Sequence, residues 1–207
     1  MKQYLQVSLD VEGRLCLVVG GGAEAAEKTE RLLDAGAQVS LVSPRIDATL
    51  TAWEAEGRIT VRHRGFQAED TDGVFLVQNC VQSDPALSAQ IYQLAQEKRF
   101  LVGAWDQPQY STYTMPALVR RGRLRLAVST GAASPALAAL LRIQFERLFD
   151  DTFVAFLEWL ATRRQERARS VADRAERSQL SREDLRGFRI KGQITYPESF
   201  QQEQGER

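Results

Sequence analysis

The sequence predicts an α/β fold, in which a parallel sheet is followed by a smaller, mainly helical region. Short apolar runs alternate with helix-forming segments over about residues 10–110, which is typical of a parallel sheet covered by helices on both faces. After Ser134-Pro135 the character changes. From there to about Ser178 the chain has no glycine and no further proline, and apolar side chains recur at helical spacing.

The elements of the sheet follow one another in a regular order. We expect five strands, at residues 14–19, 39–43, 59–63, 74–80 and 100–105, and helices at 23–35, 49–56 and 85–98. A sixth strand is expected at 124–129. Ser134 suits the N-cap of a following helix, and Pro135 suits its first position.

The composition excludes several classes of function. Lys and Arg number 27 and Asp and Glu number 27, so no overall positive charge favours nucleic-acid binding. The single histidine and two cysteines do not cluster at metal-ligand spacing, and we predict no metal site. No signal-peptide pattern and no apolar stretch near the ~20 residues of a membrane span is evident, so we expect a cytoplasmic protein without membrane contact.

A glycine-rich loop follows the first strand. Gly20, Gly22 and Ala25 fit the pattern G-x-G-x-x-G/A, which marks a Rossmann-type dinucleotide site when it lies between a strand and a helix. Gly20 permits the tight turn, Gly22 lets the backbone approach a pyrophosphate, and Ala25 keeps the helix close to the sheet. We therefore predict that NAD(P) is bound by Gly20, Gly21, Gly22, Ala23 and Glu24.

The second strand lacks the acidic residue that usually holds the ribose hydroxyls of NAD. Ser43, Pro44 and Arg45 stand there instead, and we include them among the cofactor-binding residues. Ser43 could bond a ribose hydroxyl, and Arg45 could pair with a 2′-phosphate. NAD is the expected cofactor, and NADP remains open.

We expect four regions along the chain. Residues 1–112 form the NAD(P)-binding Rossmann domain, 113–150 a sixth strand and dimerisation segment, 151–195 a helical C-terminal region, and 196–207 a disordered polar tail. The helical part presents a dense aromatic face, with Phe145, Phe149, Phe153, Phe156 and Trp159. Either a homodimer interface or packing against the first domain would bury this face.

Four segments together resemble a known family. They are LVVGGGAEAAEK at 17–28 with its continuation at 32–39, LVGAWD at 101–106 before MPA at 115–117, RRGRLRLAVSTG at 120–131, and ASPALA at 133–138. In this combination and order the chain is similar to the precorrin-2 dehydrogenases of sirohaem synthesis, including the dehydrogenase and ferrochelatase module of sirohaem synthases.

The resemblance implies an NAD-dependent oxidation of the tetrapyrrole precorrin-2 to sirohydrochlorin. Some members also insert Fe²⁺, a lyase reaction that the sequence leaves open. The family forms homodimers through the helical region, and an aspartate at the position of Asp106 is its essential residue. The alternative is a non-catalytic NAD(P)- or tetrapyrrole-binding protein on the same scaffold.

The residues themselves suit these roles. Asp106 ends the fifth strand at the carboxyl edge of the sheet, where open α/β sheets bind ligands, and it could act as a base or polarise a pyrrole N–H. A carboxylate is a weak base unless burial strengthens it. Asp106 could alternatively serve only the turn it makes with Gln107 and Pro108.

The polycarboxylate substrate calls for hydroxyl and cationic partners. For substrate binding we select Ser129, Thr130 and Ser134, in a loop at a helix start, and Arg120 from the preceding basic run. Three places depart from the usual family pattern. Gly103 replaces an Asn, residues 80–84 replace a Thr-Asp-Asp run, and Trp105 replaces a small aliphatic residue.

Overall fold

The computed structural model describes residues 4–192 and 194–195. Five strands form one parallel sheet in the order β3-β2-β1-β4-β5. These strands are β1 (Leu15–Val19), β2 (Gln38–Val42), β3 (Ile59–Arg62), β4 (Leu76–Asn79) and β5 (Leu101–Ala104). The helices between them are α1 (Ala23–Asp34), α2 (Ala48–Ala55) and α3 (Pro85–Lys98). The predicted α/β fold is confirmed, and predicted and observed ends differ by at most two residues.

Alternation along the strands divides the core between the two faces of the sheet. Cys16 and Val18 of β1 pack with α1 and α2 on one face, whereas Leu17 and Val19 pack with α3 on the other. All four are at most 2% exposed. Burying an apolar side chain of this size contributes roughly 1.5–3 kcal/mol, so the sheet holds the turns at its carboxyl edge on a rigid base.

The predicted sixth strand lies outside this parallel sheet. It is β7 (Leu124–Val128), and it pairs with β6 (Ala117–Arg121) in a separate two-stranded sheet. The sequence analysis missed β6. Gly122, in the tight turn between the two strands, has a φ of 54°, a conformation that glycine adopts without strain.

The C-terminal part of the chain, as far as the structure describes it, contains three helices. They are α4 (Pro135–Leu148), α5 (Asp151–Ser170) and α6 (Arg174–Glu183). Asp150 caps α5 by accepting from the Phe153 N–H at 2.9 Å, and Asp173 caps α6 in the same way. No helix among the described residues is long and apolar enough to cross a membrane.

By contacts the chain divides into two compact units. Residues 1–117 and 129–138 form the first, and residues 118–128 and 139–207 form the second. Within the second unit, the Phe149 ring contacts Phe153 at 4.7 Å between centroids, and Phe156 stacks on Phe188. Part of the predicted aromatic face is therefore packed inside this unit. The predicted disordered tail at 196–207 lies outside the described residues.

Candidate functional site

Two of the three glycines in the loop, Gly20 and Gly22, have the backbone geometry that the sequence predicts. Gly20 has a φ of 114°, and a Cβ there would lie 3.3 Å from a Val81 methyl group, so a side chain would be both strained and crowded. Gly22 is the N-cap of α1, and a Cβ there would meet nothing within 4 Å. The space in front of Gly22 is therefore open to a ligand.

The start of α1 has the geometry that an anion-binding site requires. Gly22 offers no side-chain cap, and the first helical hydrogen bond runs from the Ala26 N–H to the Gly22 carbonyl at 3.0 Å. The earlier N–H groups of the helix are thus available to a phosphate at the positive end of the helix dipole. Ala25 is fully buried and brings the helix against the sheet. These features fit a dinucleotide pyrophosphate.

Ala23 and Glu24 differ in what they leave available to a cofactor. Ala23 is exposed at the first helical position. The Glu24 carboxylate forms an ion pair with Lys28 at 2.8 Å, one helical turn further on. This pairing offsets the negative charge of Glu24 near the helix start, where it would otherwise repel a phosphate.

The end of β2 packs directly on the glycine loop. A Cβ on Gly21 would lie 2.0 Å from the Arg45 carbonyl oxygen, and the Asp47 N–H donates to the Gly21 carbonyl at 2.8 Å. The buried Ser43 hydroxyl donates to the Arg45 carbonyl at 2.6 Å, which leaves only its oxygen lone pairs for a ribose hydroxyl. Pro44 is exposed.

The charges at this edge are unusual for an NAD site. The carboxylate of Asp47 accepts from the Leu50 N–H at 2.9 Å and so caps α2. The Arg45 side chain, in contrast, is exposed. The end of β2 therefore presents a cation toward solvent, and its nearest acid is occupied by a helix cap.

Asp106 lies on the turn after β5. Its φ is 56°, and its Oδ2 accepts from the Gln82 side-chain amide at 2.7 Å. The turn is tied to the end of β4, because the Trp105 N–H donates to the Asn79 carbonyl at 2.9 Å and the Gln107 side-chain amide donates to the Gln82 carbonyl at 3.1 Å. Asp106 is exposed, so the burial considered above for a base is absent in this chain.

The surroundings of Gly103 on β5 explain one departure from the family pattern. A Cβ on Gly103 would lie 2.8 Å from the Tyr113 ring and 2.8 Å from the Gln78 side-chain oxygen. The Tyr113 hydroxyl donates to that same oxygen at 2.8 Å. Burial raises the pKa of Tyr113 well above its usual range, so the phenol stays a neutral donor.

Cys80 stands beside this arrangement at the end of β4. Burial raises the pKa of its thiol to about 12. A thiol with such a pKa is hardly ionised near neutral pH and is a poor nucleophile. Among residues 4–192 and 194–195, no group of three or more His, Cys, Asp or Glu side chains is arranged to hold a metal ion.

The hydroxyl groups in the loop before α4 form hydrogen bonds within the loop and to the start of the helix. Thr130 donates to the Ser134 carbonyl at 3.0 Å, and Ser134 accepts from the Leu137 N–H at 3.1 Å, which confirms it as the helix cap. Ser129 accepts weakly from the Gly131 N–H at 3.3 Å. The loop is thus held in one shape before any ligand arrives.

Arg121 and Arg123, which follow Arg120 in the basic run, have ion-pair partners within the second unit. Arg121 pairs with Asp151 at 3.0 Å, and Arg123 pairs with Glu158 at 2.9 Å. Arg120 is half-buried. A substrate carboxylate would compete with these ion pairs, whose partners are exposed and whose strength is therefore small.

Sequence reasoning missed two side-chain contacts at the carboxyl edge of the sheet. Gln82 and Tyr113 bond to residues 24 and 35 positions away in the chain. Neither belongs to a motif. For Gln82 the available signal was its position three residues after β4, which marks a region without naming its contacts, and for Tyr113 the sequence offered no such signal.

The chain matches a family described as NAD(P)-binding over residues 7–117. It is 36% identical over 151 residues to a sirohaem synthase of Nitrosococcus oceani (73% of this chain, 32% of the relative) and 41% identical over 143 residues to one of Pseudomonas entomophila (69% and 31%). A solved structure titled SirC, precorrin-2 dehydrogenase, is similar with a TM-score of 0.75 and 27% identity, covering 87% of this chain and 88% of that one.

The chain spans about a third of the length of the sirohaem synthases that it matches. It spans nearly all of the dehydrogenase structure, whose fold it shares. The family match covers the glycine loop, the end of β2 and the Asp106 turn. The chain belongs to the NAD(P)-binding family that includes the precorrin-2 dehydrogenases and the dehydrogenase module of sirohaem synthases.

Proposed function

We propose that this protein is an NAD-dependent dehydrogenase that oxidises precorrin-2 to sirohydrochlorin in sirohaem synthesis. The observation that carries the proposal is the joint placement of the open, uncapped start of α1 and the Asp106 carboxylate. Both stand at the carboxyl edge of one sheet, after the neighbouring strands β1, β4 and β5. The names of the similar proteins supply the substrate.

The glycine loop and the end of β2 would hold the cofactor. The N–H groups at the start of α1 bind the pyrophosphate, with Gly22 leaving the space for it. Ser43 and Arg45 lie where the adenosine ribose would reach the end of β2. When bound, the nicotinamide supplies a hydride acceptor, and oxidation of the substrate also releases a proton.

Asp106 would take up that proton or hold a pyrrole N–H of the substrate. Its exposed carboxylate is free to meet a ligand on the side away from Gln82. The loop with Ser129, Thr130 and Ser134, which belongs to the first unit, would add hydroxyl and N–H groups for substrate carboxylates. Arg120 belongs to the second unit, and we propose it separately as a positive charge for a substrate carboxylate.

We also propose that the protein is a homodimer. Large apolar side chains on α4 remain exposed, with Leu137 at 47%, Leu140 at 50% and Ile143 at 37%. A row of exposed apolar residues on one helix is typical of a surface that associates. Sedimentation analysis at micromolar concentration tests this, and a monomer at that concentration contradicts it.

The enzymatic proposal is tested anaerobically with purified protein, precorrin-2 and NAD⁺. Sirohydrochlorin should form at the rate at which NADH absorbance rises, and Asp106→Ala should lower the turnover by at least about 100-fold, the usual contribution of a positioned acid or base. NAD⁺ binding without conversion would favour the non-catalytic alternative. Supplying Fe²⁺ with sirohydrochlorin tests metal insertion as a separate activity.

A further inference from the structure

The contact between Gln82 and Asp106 joins two loops that the sequence separates. The Gln82 side-chain amide donates to Asp106 Oδ2 at 2.7 Å, across 24 positions of the chain. We propose that Gln82 is a positioning residue for Asp106, fixing the direction of its carboxylate toward the substrate. This role rests on the proposed dehydrogenase function.

Asp106 needs such support because its own surroundings do little to orient it. Its φ of 56° is one that L residues rarely adopt, and its side chain is exposed. The Gln82 amide is the hydrogen-bond donor that the described structure supplies to the carboxylate.

The loop that carries Gln82 is itself fixed by hydrogen bonds to its backbone. The Gln107 side chain, only 7% exposed, donates to the Gln82 carbonyl at 3.1 Å. The Val81 N–H donates to the buried Asn79 side-chain oxygen at 3.0 Å. The loop that carries Gln82 is therefore anchored at its backbone, so that the amide points from a fixed base.

The chain contains a matched contact without this setting. Gln93 donates its side-chain amide to Glu97 at 3.0 Å on the exposed side of α3. In both contacts an exposed glutamine amide donates to an exposed carboxylate. A merely superficial bond should therefore have the same small effect in both places, and this makes Gln93 a control.

The experiment compares Gln82→Met, Gln82→Glu and Gln93→Met in the full chain. We expect Gln82→Met to lower kcat about tenfold, as the loss of one hydrogen bond to a charged group does at the low end of its range. KM for NAD⁺ and the thermal midpoint should match those of Gln93→Met. Gln82→Glu should lower kcat at least as far, because a carboxylate at this position cannot donate to Asp106 and repels it.

The outcomes separate this role from the function on which it rests. If the wild type oxidises precorrin-2 and Gln82→Met has the same kcat as Gln93→Met, the positioning role is wrong and the dehydrogenase function stands. If the wild type binds NAD⁺ but converts no precorrin-2, both are wrong. A fall in kcat accompanied by an equal fall in NAD⁺ affinity or a lower thermal midpoint than in Gln93→Met also contradicts the role, since general damage to the loop would produce it.

Discussion

Substitution of neighbouring glycines by alanine separates cofactor binding from folding. In Gly22→Ala the new Cβ meets nothing within 4 Å, and the backbone (φ −91°, ψ −171°) is one that alanine adopts. In Gly21→Ala the Cβ would lie 2.0 Å from the Arg45 carbonyl oxygen and 2.7 Å from the Ser43 hydroxyl. The methyl group of Gly22→Ala would therefore occupy space that is left for the ligand, whereas that of Gly21→Ala would clash with Arg45 and Ser43 of the protein itself.

The expected magnitudes follow from this geometry. Alanine is a poorer N-cap than glycine, so Gly22→Ala should cost about 0.5–1 kcal/mol of stability. If its methyl group keeps a phosphate from one backbone N–H, about 1.5–3 kcal/mol of binding is lost, which weakens NAD⁺ affinity roughly 10- to 100-fold. Overpacking in Gly21→Ala should cost about 1–3 kcal/mol and lower Tm by about 2–12 °C.

Two measurements on each variant test the argument. Thermal unfolding without cofactor reports the folding cost, and calorimetric titration with NAD⁺ reports the affinity. Gly22→Ala should lower Tm by only about 1–4 °C and show weak binding, whereas Gly21→Ala should show the larger loss of Tm. Wild-type affinity in Gly22→Ala would refute the assignment of this space to the pyrophosphate, whatever the behaviour of Gly21→Ala.

Three further predictions concern single side chains. Arg45→Ala should weaken NADP⁺ binding about tenfold, as loss of one charged contact does, and NAD⁺ binding less than twofold; equal changes in titrations with the two cofactors would show that this cation does not contact the 2′-phosphate. The Arg64 guanidinium donates to both oxygens of Asp70 and holds the pKa of that carboxyl below its usual value. The stability that this ion pair contributes is therefore present above about pH 4 and is lost as the pH falls through the lowered pKa of Asp70. Asp70→Asn should remove that acid-dependent part of the Tm curve, and an unchanged curve would assign it to other carboxyls. Gly103→Ala should destabilise by about 1–3 kcal/mol in urea unfolding because its Cβ meets the Tyr113 ring, and wild-type stability would show that the ring moves aside freely.

The sequence predicted the sheet well because its signals are local. Each strand is a short apolar run, and the glycine loop occupies the place between a strand and a helix that gives the motif its meaning. The position of Asp106 followed from the same logic, since the end of a parallel strand marks the ligand edge. These inferences need only neighbouring residues and the order of the elements.

What the sequence could not predict depends on contacts between distant segments. β6 has no extended alternating run, and it pairs with β7 rather than with the main sheet. The breaks between α4, α5 and α6 carry a local signal, because Asp150 and Asp173 are good N-caps, but the apolar repeat runs through the first of these breaks and hides it. The exposure of Asp106 depends on how its turn sits above the sheet, which no motif encodes.

Two departures from the family pattern are linked through the structure. The missing side chain at Gly103 leaves the space that the Tyr113 ring fills, and the ring's hydroxyl bonds Gln78 on the neighbouring strand. The changed run after β4 supplies Gln82, whose amide reaches Asp106. Both departures thus change hydrogen bonds around the ends of β4 and β5, and neither changes the glycine loop. If the protein is the proposed dehydrogenase, these linked changes mean that a segment in which the chain departs from the family pattern supplies the hydrogen-bond donor to its reactive carboxylate.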